Sequence, residues 1–409
     1  MSVIRIQQSF TTPKTNWIAV DDLGLPRYWL TIWSFYFTLD LADASIKKKL
    51  TYIDQFYQFA ESIGKPGFLD DAIADIDLSK LGSVLEAYFI HLQNIQPINS
   101  STRHRWEASF GFVKDCIFWL SKNTQRIEEF YRTEAKVRTL EQLYSQLRIG
   151  TRKTQETIRS IPCNLIEFLL DILDPGNTKN PFRNEAAKWR VYVIFNLLLY
   201  LGLRSGELLN LNASPIKTGY DTKQSRDIYW INVTVNPDHD SDTRYSRPGI
   251  KTVDSVRQIP IFEWIANLVE EYSINYRGKP DHSYLLNSQM NRPLSYEALK
   301  VVFWNISKLL PSSLVKDLEL RTGKSSITAH DLRYTCVVAR LNHLYSMDYC
   351  SEDAFAILRT FFGWSRTSEM PLRYAKAALI ERESTVWNRV FDERVDFLRS
   401  IGAHSHATY

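Results

Sequence analysis

Long hydrophobic runs are absent from this sequence of 409 residues, and cysteine is scarce. The longest apolar run covers residues 191–203, and its 13 residues are too few to span a bilayer. The N-terminal "MSVIRIQQSF" lacks the apolar core of a secretion signal. The four cysteines show no paired spacing, which excludes a disulfide framework and indicates buried thiols in a reducing compartment. We therefore expect a soluble, cytoplasmic protein.

The chain also lacks a strong excess of either charge and any low-complexity tract. Its net charge of +4 permits binding to nucleic acid without indicating it. Hydrophobic residues make up 44% of the chain and charged residues 23%, which is typical of globular proteins and excludes wholesale disorder. A chain of this length can bury the cores of two domains.

Helical periodicity dominates the chain, because apolar residues recur three and four positions apart. "DIYWINVTV" and "VRQIPI" alternate as strands do, within a β section at about residues 227–261, and "VIRIQ" near the N-terminus alternates weakly. The sequence predicts a mainly α-helical protein with a small β section. Its predicted parts are an accessory strand or N-terminal arm (1–25), a helical domain (26–125), a long helix with a basic linker (126–160), and a mixed α/β domain (161–409).

The segment "LLLYLGLRSGELLNL" places an arginine at a helix corner. An apolar helix reaches Gly202, and Arg204 then precedes a second helix that has Glu207 in its first turn. A guanidinium on a rigid corner can match two phosphate oxygens at once, and Glu207 would fix its orientation. Taken alone, a segment of this kind is more often a helix corner with an exposed arginine.

The segment "RPGIKTVDSVRQIPI" predicts two short strands around the turn "VDS", with Lys251 on the hairpin. A lysine on a flexible hairpin can reach over a substrate and protonate a leaving oxygen. A solvated surface charge is the commoner role of such a lysine.

The segment "HDLRYT" stands at the start of an apolar helix. Thr328 and Asp331 predict a capping box, so the helix should begin near Ala329. His330 and Arg333 then share one face of its first turn. Because free backbone amides at a helix N-terminus also attract anions, the segment predicts a phosphate site. A histidine satisfied within the core is the alternative.

The segment "FFGWSRTSEMPLRYAKAAL" predicts a helix that ends at Gly363. Trp364 and a polar turn follow, and Tyr374 is predicted to start the next helix. A tyrosine at this position is a candidate nucleophile, but the chain contains 21 tyrosines, so this segment alone is a weak signal.

In this order, "GLRSGELLNL", "IKTV", "HDLRYT", "FFGW" and "RYAK" together resemble the motifs of the tyrosine recombinase (phage integrase) family. The resemblance covers roughly residue 161 to the end, and the five-part pattern is highly specific. The helical N-terminal region resembles the family's core-binding domain by position and helicity only. The resemblance implies a two-domain, C-shaped clamp around DNA, with the linker near residues 150–154 along the duplex.

The resemblance also implies a mechanism without a metal, cofactor or ATP. Tyr374 would attack a DNA phosphodiester, giving a 3′-phosphotyrosine and a free 5′-hydroxyl. Two arginines would stabilise the charge on the non-bridging oxygens, while a lysine protonates the leaving oxygen. A histidine would help to deprotonate the tyrosine, and a tryptophan would donate to a phosphate oxygen. The implied catalytic residues are Arg204, Lys251, His330, Arg333, Trp364 and Tyr374, with Glu207 in support.

The implied partner is double-stranded DNA with inverted-repeat core sites, cut and rejoined during integration, excision or transposition of mobile elements. Residues 384–409 show one apolar helical face, which is suited to packing on the same protomer or on a neighbouring one. The resemblance implies the second, with exchange of this C-terminal helix between protomers of a DNA-bound homotetramer. Accessory proteins or sister recombinases are further expected partners. Binding to a membrane is not expected.

The sequence departs from the family pattern in several places. The interval from Arg204 to Lys251 is long, which indicates an insertion in the β section. Lys217 and Lys223 are therefore rival candidates for the catalytic lysine. Trp364 stands where many members have histidine, and its indole still donates one hydrogen bond. The interval from Trp364 to Tyr374 is one residue longer than usual, which we attribute to the turn around residues 369–371. Tyr334 replaces a common histidine or lysine at a position that is not catalytic.

Three rival functions remain. A metal-dependent nuclease would need acidic ligands, but the acidic segment "PDHDSD" (Asp238, Asp240 and Asp242) lacks the glycine and glutamate of a calcium loop, so we interpret it as a solvated loop. A type IB topoisomerase would share the catalytic groups. A non-catalytic DNA-binding protein with a decayed site is the third, and the complete set of six residues argues against it.

Overall fold

The structure is a computed structural model that describes residues 3–5, 17–38, 41–95, 100–122, 160–223, 225–250 and 253–383, and isolated positions between 131 and 142. The chain divides into two compact units, Met1–Gln155 and Glu156–Tyr409. Helices dominate the described part of both units, and the described strands form a two-stranded and a three-stranded sheet. The predicted class, mainly α-helical with a small β section, is confirmed.

The first unit is a small helical domain built on amphipathic helices. The longest described apolar stripe includes Leu50, Ile53 and Phe56, which are spaced three residues apart and fully buried. The helix that carries them ends at Gly64, whose backbone N–H donates to the carbonyl of Ala60. The elements are β1 (Val3–Arg5), β2 (Trp17–Ala19), α1 (Tyr28–Phe37), α2 (Asp43–Ile63), α3 (Phe68–Ala74), α4 (Leu78–Asn94) and α5 (Ser100–Lys122).

The described part of the predicted N-terminal arm belongs to the core of this unit. Strands β1 and β2 pair in an antiparallel manner. Val3, Trp17 and Ala19 are buried in the same cluster as the apolar residues of α1 and α2. Of the two predicted alternatives, the accessory strand describes these residues, because alternation places their apolar side chains on the buried face of the strands.

The second unit is mainly helical and contains a three-stranded sheet. Helix α7 is apolar on nearly all sides. It is capped by the preceding residue, Asn184, whose side chain accepts from the backbone N–H of Ala187. The elements are α6 (Cys163–Ile172), α7 (Glu185–Leu201), α8 (Ser205–Leu209), β3 (Ile216–Asp221), β4 (Arg226–Val233), β5 (Arg257–Ile261), α9 (Glu263–Glu271), α10 (Tyr296–Lys308), α11 (Ser312–Thr322), α12 (Ala329–Ser346), α13 (Ser351–Phe362) and α14 (Met370–Glu383).

The three-stranded sheet is antiparallel in the order β3-β4-β5. Ile231 lies opposite Ile216 on one side and Ile259 on the other. Two of these strands, β4 and β5, were predicted, whereas β3 lies before the predicted β section.

The predicted strand before the turn "VDS" is wrong. Residues 247–250 have no regular structure, and Val253–Ser255 form a short 3₁₀ helix. Pro248 lacks the N–H that a sheet ladder requires, and Gly249 weakens a strand further. The hairpin of this sheet instead joins β3 to β4. Lys251 lies outside the described residues.

Other predictions also fall outside the described residues or need correction. The linker near residues 150–154 and the C-terminal exchange helix at residues 384–409 lie outside them. Helix α14 begins at Met370, so Tyr374 lies in its second turn rather than at its start. The prediction of a turn around residues 369–371 is therefore wrong, since the turn occupies residues 365–369.

The acidic segment was predicted to be a solvated loop, and this prediction is wrong for two of its three aspartates. Asp242 is buried and pairs with Arg244, with 2.8 Å between Oδ2 and Nη2. Asp238 accepts a 2.6 Å hydrogen bond from the backbone N–H of Ser283. Both carboxylates therefore hold the fold together, while Asp240 is exposed.

Metal-binding clusters and membrane-spanning helices are both absent from the described ranges. No group of three or more histidine, cysteine, aspartate or glutamate side chains in these ranges is placed to hold a metal ion. None of the helices in the same ranges is long and apolar enough to cross a membrane.

Candidate active site

A glycine corner after α7 positions the first arginine of the site. Gly202 ends the helix in the left-handed conformation, with φ +57°. A Cβ atom on Gly202 would lie 2.5 Å from Cε1 of Phe362. Only glycine therefore allows α7 to end against Phe362. Arg204 lies two residues later, immediately before α8.

We expect the Gly202→Ala variant to lose stability for both reasons. The left-handed conformation costs a residue with a Cβ about 1–2 kcal/mol, and overpacking adds about 1–3 kcal/mol. Denaturant unfolding of the purified chain measures the sum. Gly82→Ala is the matched control, because Gly82 lies within α4 with open space at its Cβ, so alanine should be neutral or stabilising there. Equal effects at both glycines would contradict the requirement for Gly202.

Arg204 is held in place by three neighbours. Its Nη1 donates to Oε1 of Glu207 at 2.5 Å and to Oγ of Ser255 at 2.9 Å. Its Nη2 donates to the carbonyl of Gly363 at 3.0 Å. The side chain is still 24% exposed. This arrangement presents N–H donors to an anion without requiring the side chain to reorganise.

Glu207 is the buried carboxylate that connects the arginines of the site. Besides Arg204, it accepts two hydrogen bonds from Arg257, at 3.2 Å from Nη1 and 3.0 Å from Nη2. Nη1 of Arg333 lies 3.8 Å from its Oε2. Burial alone would raise the pKa of Glu207, but the hydrogen bonds and charge of Arg257, followed by the charges of Arg333 and Arg204, hold the pKa below its usual value. The carboxylate is therefore ionised at neutral pH.

Helix α12 supplies the second predicted arginine, and it begins at Ala329 as predicted. The Asp331 carboxylate accepts the backbone N–H of Thr328 at 2.9 Å, which fixes the first turn. From this turn Arg333 donates to the carbonyls of Gly202 and Phe362. It is almost fully buried, and its burial, with the charge of Arg204, lowers its pKa to about 10. Arg333 is thus still cationic at neutral pH.

Tyr374 lies between two aromatic rings. Its ring stacks on Trp364 with 5.5 Å between centroids and an interplanar angle of 10°. On another side, the Tyr334 ring lies 4.6 Å away at 55°. Tyr374 is only 1% exposed, so these contacts fix the ring and shield it from water.

A cavity of about 440 Å³ brings the predicted residues together. Serine side chains at positions 205, 365 and 368 add polar groups to its wall. Its lining comes from the α7–α8 corner, the start of α12, the turn after α13, and α14. The predicted site residues in the lining are Arg204, His330, Arg333, Trp364 and Tyr374, and His330 is exposed.

The lysine of the site is not placed, because Lys251 lies outside the described residues. Residues on either side of Lys251 in the sequence lie next to the α7–α8 corner that carries Arg204. A Cβ on Gly206 in α8 would lie 3.0 Å from the carbonyl oxygen of Gly249, and Ser255 binds Arg204. The rivals Lys217, on β3, and Lys223, in the β3–β4 turn, are both exposed, and neither lines the cavity.

Arg257 binds Glu207 behind this site, and it was not predicted. The segment "VRQIPI" was interpreted only as a strand. Its alternation nevertheless contains the signal, because Arg257 shares a strand face with Ile259 and Ile261, which are both buried. An arginine on a buried strand face needs an anionic partner, which here is Glu207.

No protein-family model and no curated protein sequence matches the chain. Solved structures that are similar to it over most of its length include two of a site-specific recombinase. One is the XerH site-specific recombinase bound to difH substrate in a pre-cleavage complex, with 13% identity, a TM-score of 0.48, and coverage of 85% of this chain and 80% of that chain. The other is XerH bound to palindromic difH substrate in a post-cleavage complex, with 12% identity, a TM-score of 0.40, and coverage of 92% and 94%. At these values the likeness assigns neither an activity nor a substrate to this chain.

Proposed function

We propose that this chain is a site-specific DNA recombinase that cuts and rejoins DNA through a 3′-phosphotyrosine on Tyr374. The observation that carries the proposal is the single cavity lined by two arginines, a histidine, a tryptophan and a tyrosine from distant segments. This combination suits a phosphodiester, because guanidinium groups match phosphate oxygens and a phenol oxygen can attack phosphorus.

In the proposed reaction the Tyr374 oxygen forms a bond to phosphorus while the bond from phosphorus to the 5′ oxygen breaks. His330 takes up the phenolic proton, and Lys251 gives a proton to the leaving 5′ oxygen. Arg204 and Arg333 stabilise the charge on the non-bridging oxygens, and the Trp364 indole donates to one of them. A free 5′-hydroxyl reverses these steps on another strand, so rejoining needs no ATP.

Two arginines would supply the positive charge that a metal ion supplies in many nucleases. We therefore expect cleavage without added metal. The proposed substrate is double-stranded DNA with inverted-repeat core sites, and the proposed assembly is a homotetramer on that DNA. Because phosphate contacts release counterions, DNA affinity should fall steeply as salt increases.

The test is a nicked DNA duplex in which a broken strand end is lost after cleavage, so that the covalent adduct accumulates. Target sequences are first selected by binding of the full chain to genomic DNA fragments. The expected result, in the presence of a metal chelator, is a protein–DNA adduct on selected sites and none on shuffled sequences. Cleavage that requires magnesium and leaves no adduct would refute the proposal. Relaxation of supercoiled DNA without site preference would indicate a type IB topoisomerase, and binding without cleavage a non-catalytic DNA-binding protein.

A further inference from the structure

We propose that Arg257 is a positioning residue for the cleavage reaction, an inference that rests on the proposed function. Arg257 would hold Glu207 so that Arg204 faces the phosphate, and it would fix the chain segment that follows Lys251. It lines no part of the cavity itself, so its effect on the reaction would pass through these neighbours.

The contacts of Arg257 reach three separate segments of the site. Its Nη1 and Nη2 bind both carboxylate oxygens of Glu207, in α8. Nη1 also donates to the carbonyl of Ser255 at 2.8 Å, before β5. Nε donates to the carbonyl of Phe361 at 2.8 Å, in the last turn of α13. The planar guanidinium fixes the relative positions of these three segments, which a lysine could not do with a single nitrogen.

Each segment that Arg257 binds also carries a contact to a phosphate-binding arginine of the proposed site. Glu207 and Ser255 both accept from Nη1 of Arg204. Next to Phe361, the carbonyl of residue 362 accepts from Arg333 and that of residue 363 accepts from Arg204. Arg257 therefore supports most of the groups that orient the two proposed catalytic arginines.

The packing around Arg257 leaves little freedom for another arrangement. A Cβ on Gly363, where φ is +60°, would lie 3.0 Å from Nη1 of Arg257 and 2.9 Å from Cα of Ser255. Ser255 is fully buried. At the other end of the Lys251 segment, Gly249 lies against Gly206 of α8. The described residues on both sides of Lys251 are therefore held at the corner that carries Arg204.

Electrostatics distinguish a positioning role from a purely structural one. The charged groups that face Glu207 are Arg204, Arg257 and Arg333, and the titratable His330 and Tyr374 line the nearby cavity. Arg257 contributes the largest of the effects that lower the pKa of Glu207. Without it, the pKa of Glu207 should rise, and protonation at mildly acidic pH would weaken its hold on Arg204.

The experiment measures single-turnover cleavage of the nicked substrate, and DNA affinity, from mildly acidic to mildly alkaline pH. Arg257→Met should slow cleavage about 10- to 100-fold at neutral pH, the range known for outer partners that orient metal ligands. DNA affinity should change little, and the variant should lose further rate as the pH falls. Arg257→Lys should recover the pH profile and part of the rate.

Two further variants separate the explanations. In Glu207→Gln/Arg257→Met the residue at position 207 cannot titrate, so the additional acidic loss should disappear, while any loss due to His330 remains in all variants. Arg244→Met removes another buried, carboxylate-paired arginine of the same unit, and it should lower the melting temperature without adding an acidic loss.

Each outcome has one meaning. A cleavage rate for Arg257→Met equal to that of the unaltered chain would refute the positioning role and leave the proposed function standing. A loss of cleavage rate that is uniform across pH, and that Arg257→Lys does not relieve, would also refute the positioning role. Such a loss would reflect a structural effect alone. If Arg257→Met fails to fold, an unchanged pH profile and rate in Arg257→Lys would overturn the inference. Absence of an adduct from the unaltered chain would overturn the proposed function and this inference with it.

Discussion

We expect the Tyr374→Phe variant to form no covalent adduct with DNA, while its folding and its DNA affinity stay close to those of the unaltered chain. The substitution removes one oxygen atom and keeps the ring that stacks on Trp364 and contacts Tyr334. Loss of a catalytic nucleophile costs on the order of 10⁶-fold in rate, which places cleavage below detection. Denaturing gels with the nicked substrate measure the adduct, and peptide mapping locates it.

Tyr334→Phe is the matched control for this experiment. It removes the same atom from the neighbouring ring, which does not line the cavity. This variant should cleave at a rate within a few-fold of the unaltered chain. An adduct that persists in Tyr374→Phe, or that maps to a different tyrosine, would show that the nucleophile is misassigned.

The surroundings of Tyr374 indicate how it would be activated as the proposed nucleophile. A phenol has a reference pKa of about 10, so it is a poor nucleophile at neutral pH. The cavity supplies an imidazole from His330 and positive charge from Arg204 and Arg333. Because Tyr374 is almost fully buried between two rings, its hydroxyl has few orientations available, and an ordered nucleophile loses less entropy on reaction.

The local features of this site could be predicted from the sequence because each depends on a few neighbouring residues. The start of α12 follows from Thr328 and Asp331, which bind each other across three residues. The end of α7 follows from Gly202, where the backbone adopts a positive φ. The class of the fold follows from helical spacing over most of the chain, since burial of one face selects that spacing.

The parts that could not be predicted depend on contacts between distant residues. Arg257 binds Glu207 fifty residues away. The alternation of its strand indicates that Arg257 is buried, but no local pattern identifies Glu207 as its partner. Similarly, Asp242 was interpreted as solvated, but it is buried within the second unit, where it pairs with Arg244. The start of α14 at Met370 was also missed, because Pro371 was interpreted as part of a turn, whereas proline is well tolerated in the first turn of a helix.

The second large effect that we expect is at Lys251, the proposed general acid. Lys251→Ala should slow cleavage of ordinary DNA by about 10²- to 10⁴-fold, the usual contribution of a general acid or base. Lys217→Ala and Lys223→Ala are the matched controls, because both lysines are exposed on the β3–β4 hairpin outside the cavity and should tolerate the change. Single-turnover cleavage of the nicked substrate gives all three rates.

A substrate with sulfur in place of the bridging 5′ oxygen identifies the chemical role of Lys251. A thiolate leaves readily without a proton, so this substrate should restore rapid cleavage by Lys251→Ala. It should not restore cleavage by Arg204→Ala, because Arg204 is proposed to stabilise the non-bridging oxygens, which remain in place. Arg204 suits this comparison better than Arg333, since Arg333 is buried and its loss would disturb folding. If the sulfur substrate instead restored cleavage by a slowed Lys217 or Lys223 variant, that lysine would be assigned as the general acid. It would then have to reach the leaving oxygen from the β3–β4 hairpin, outside the cavity.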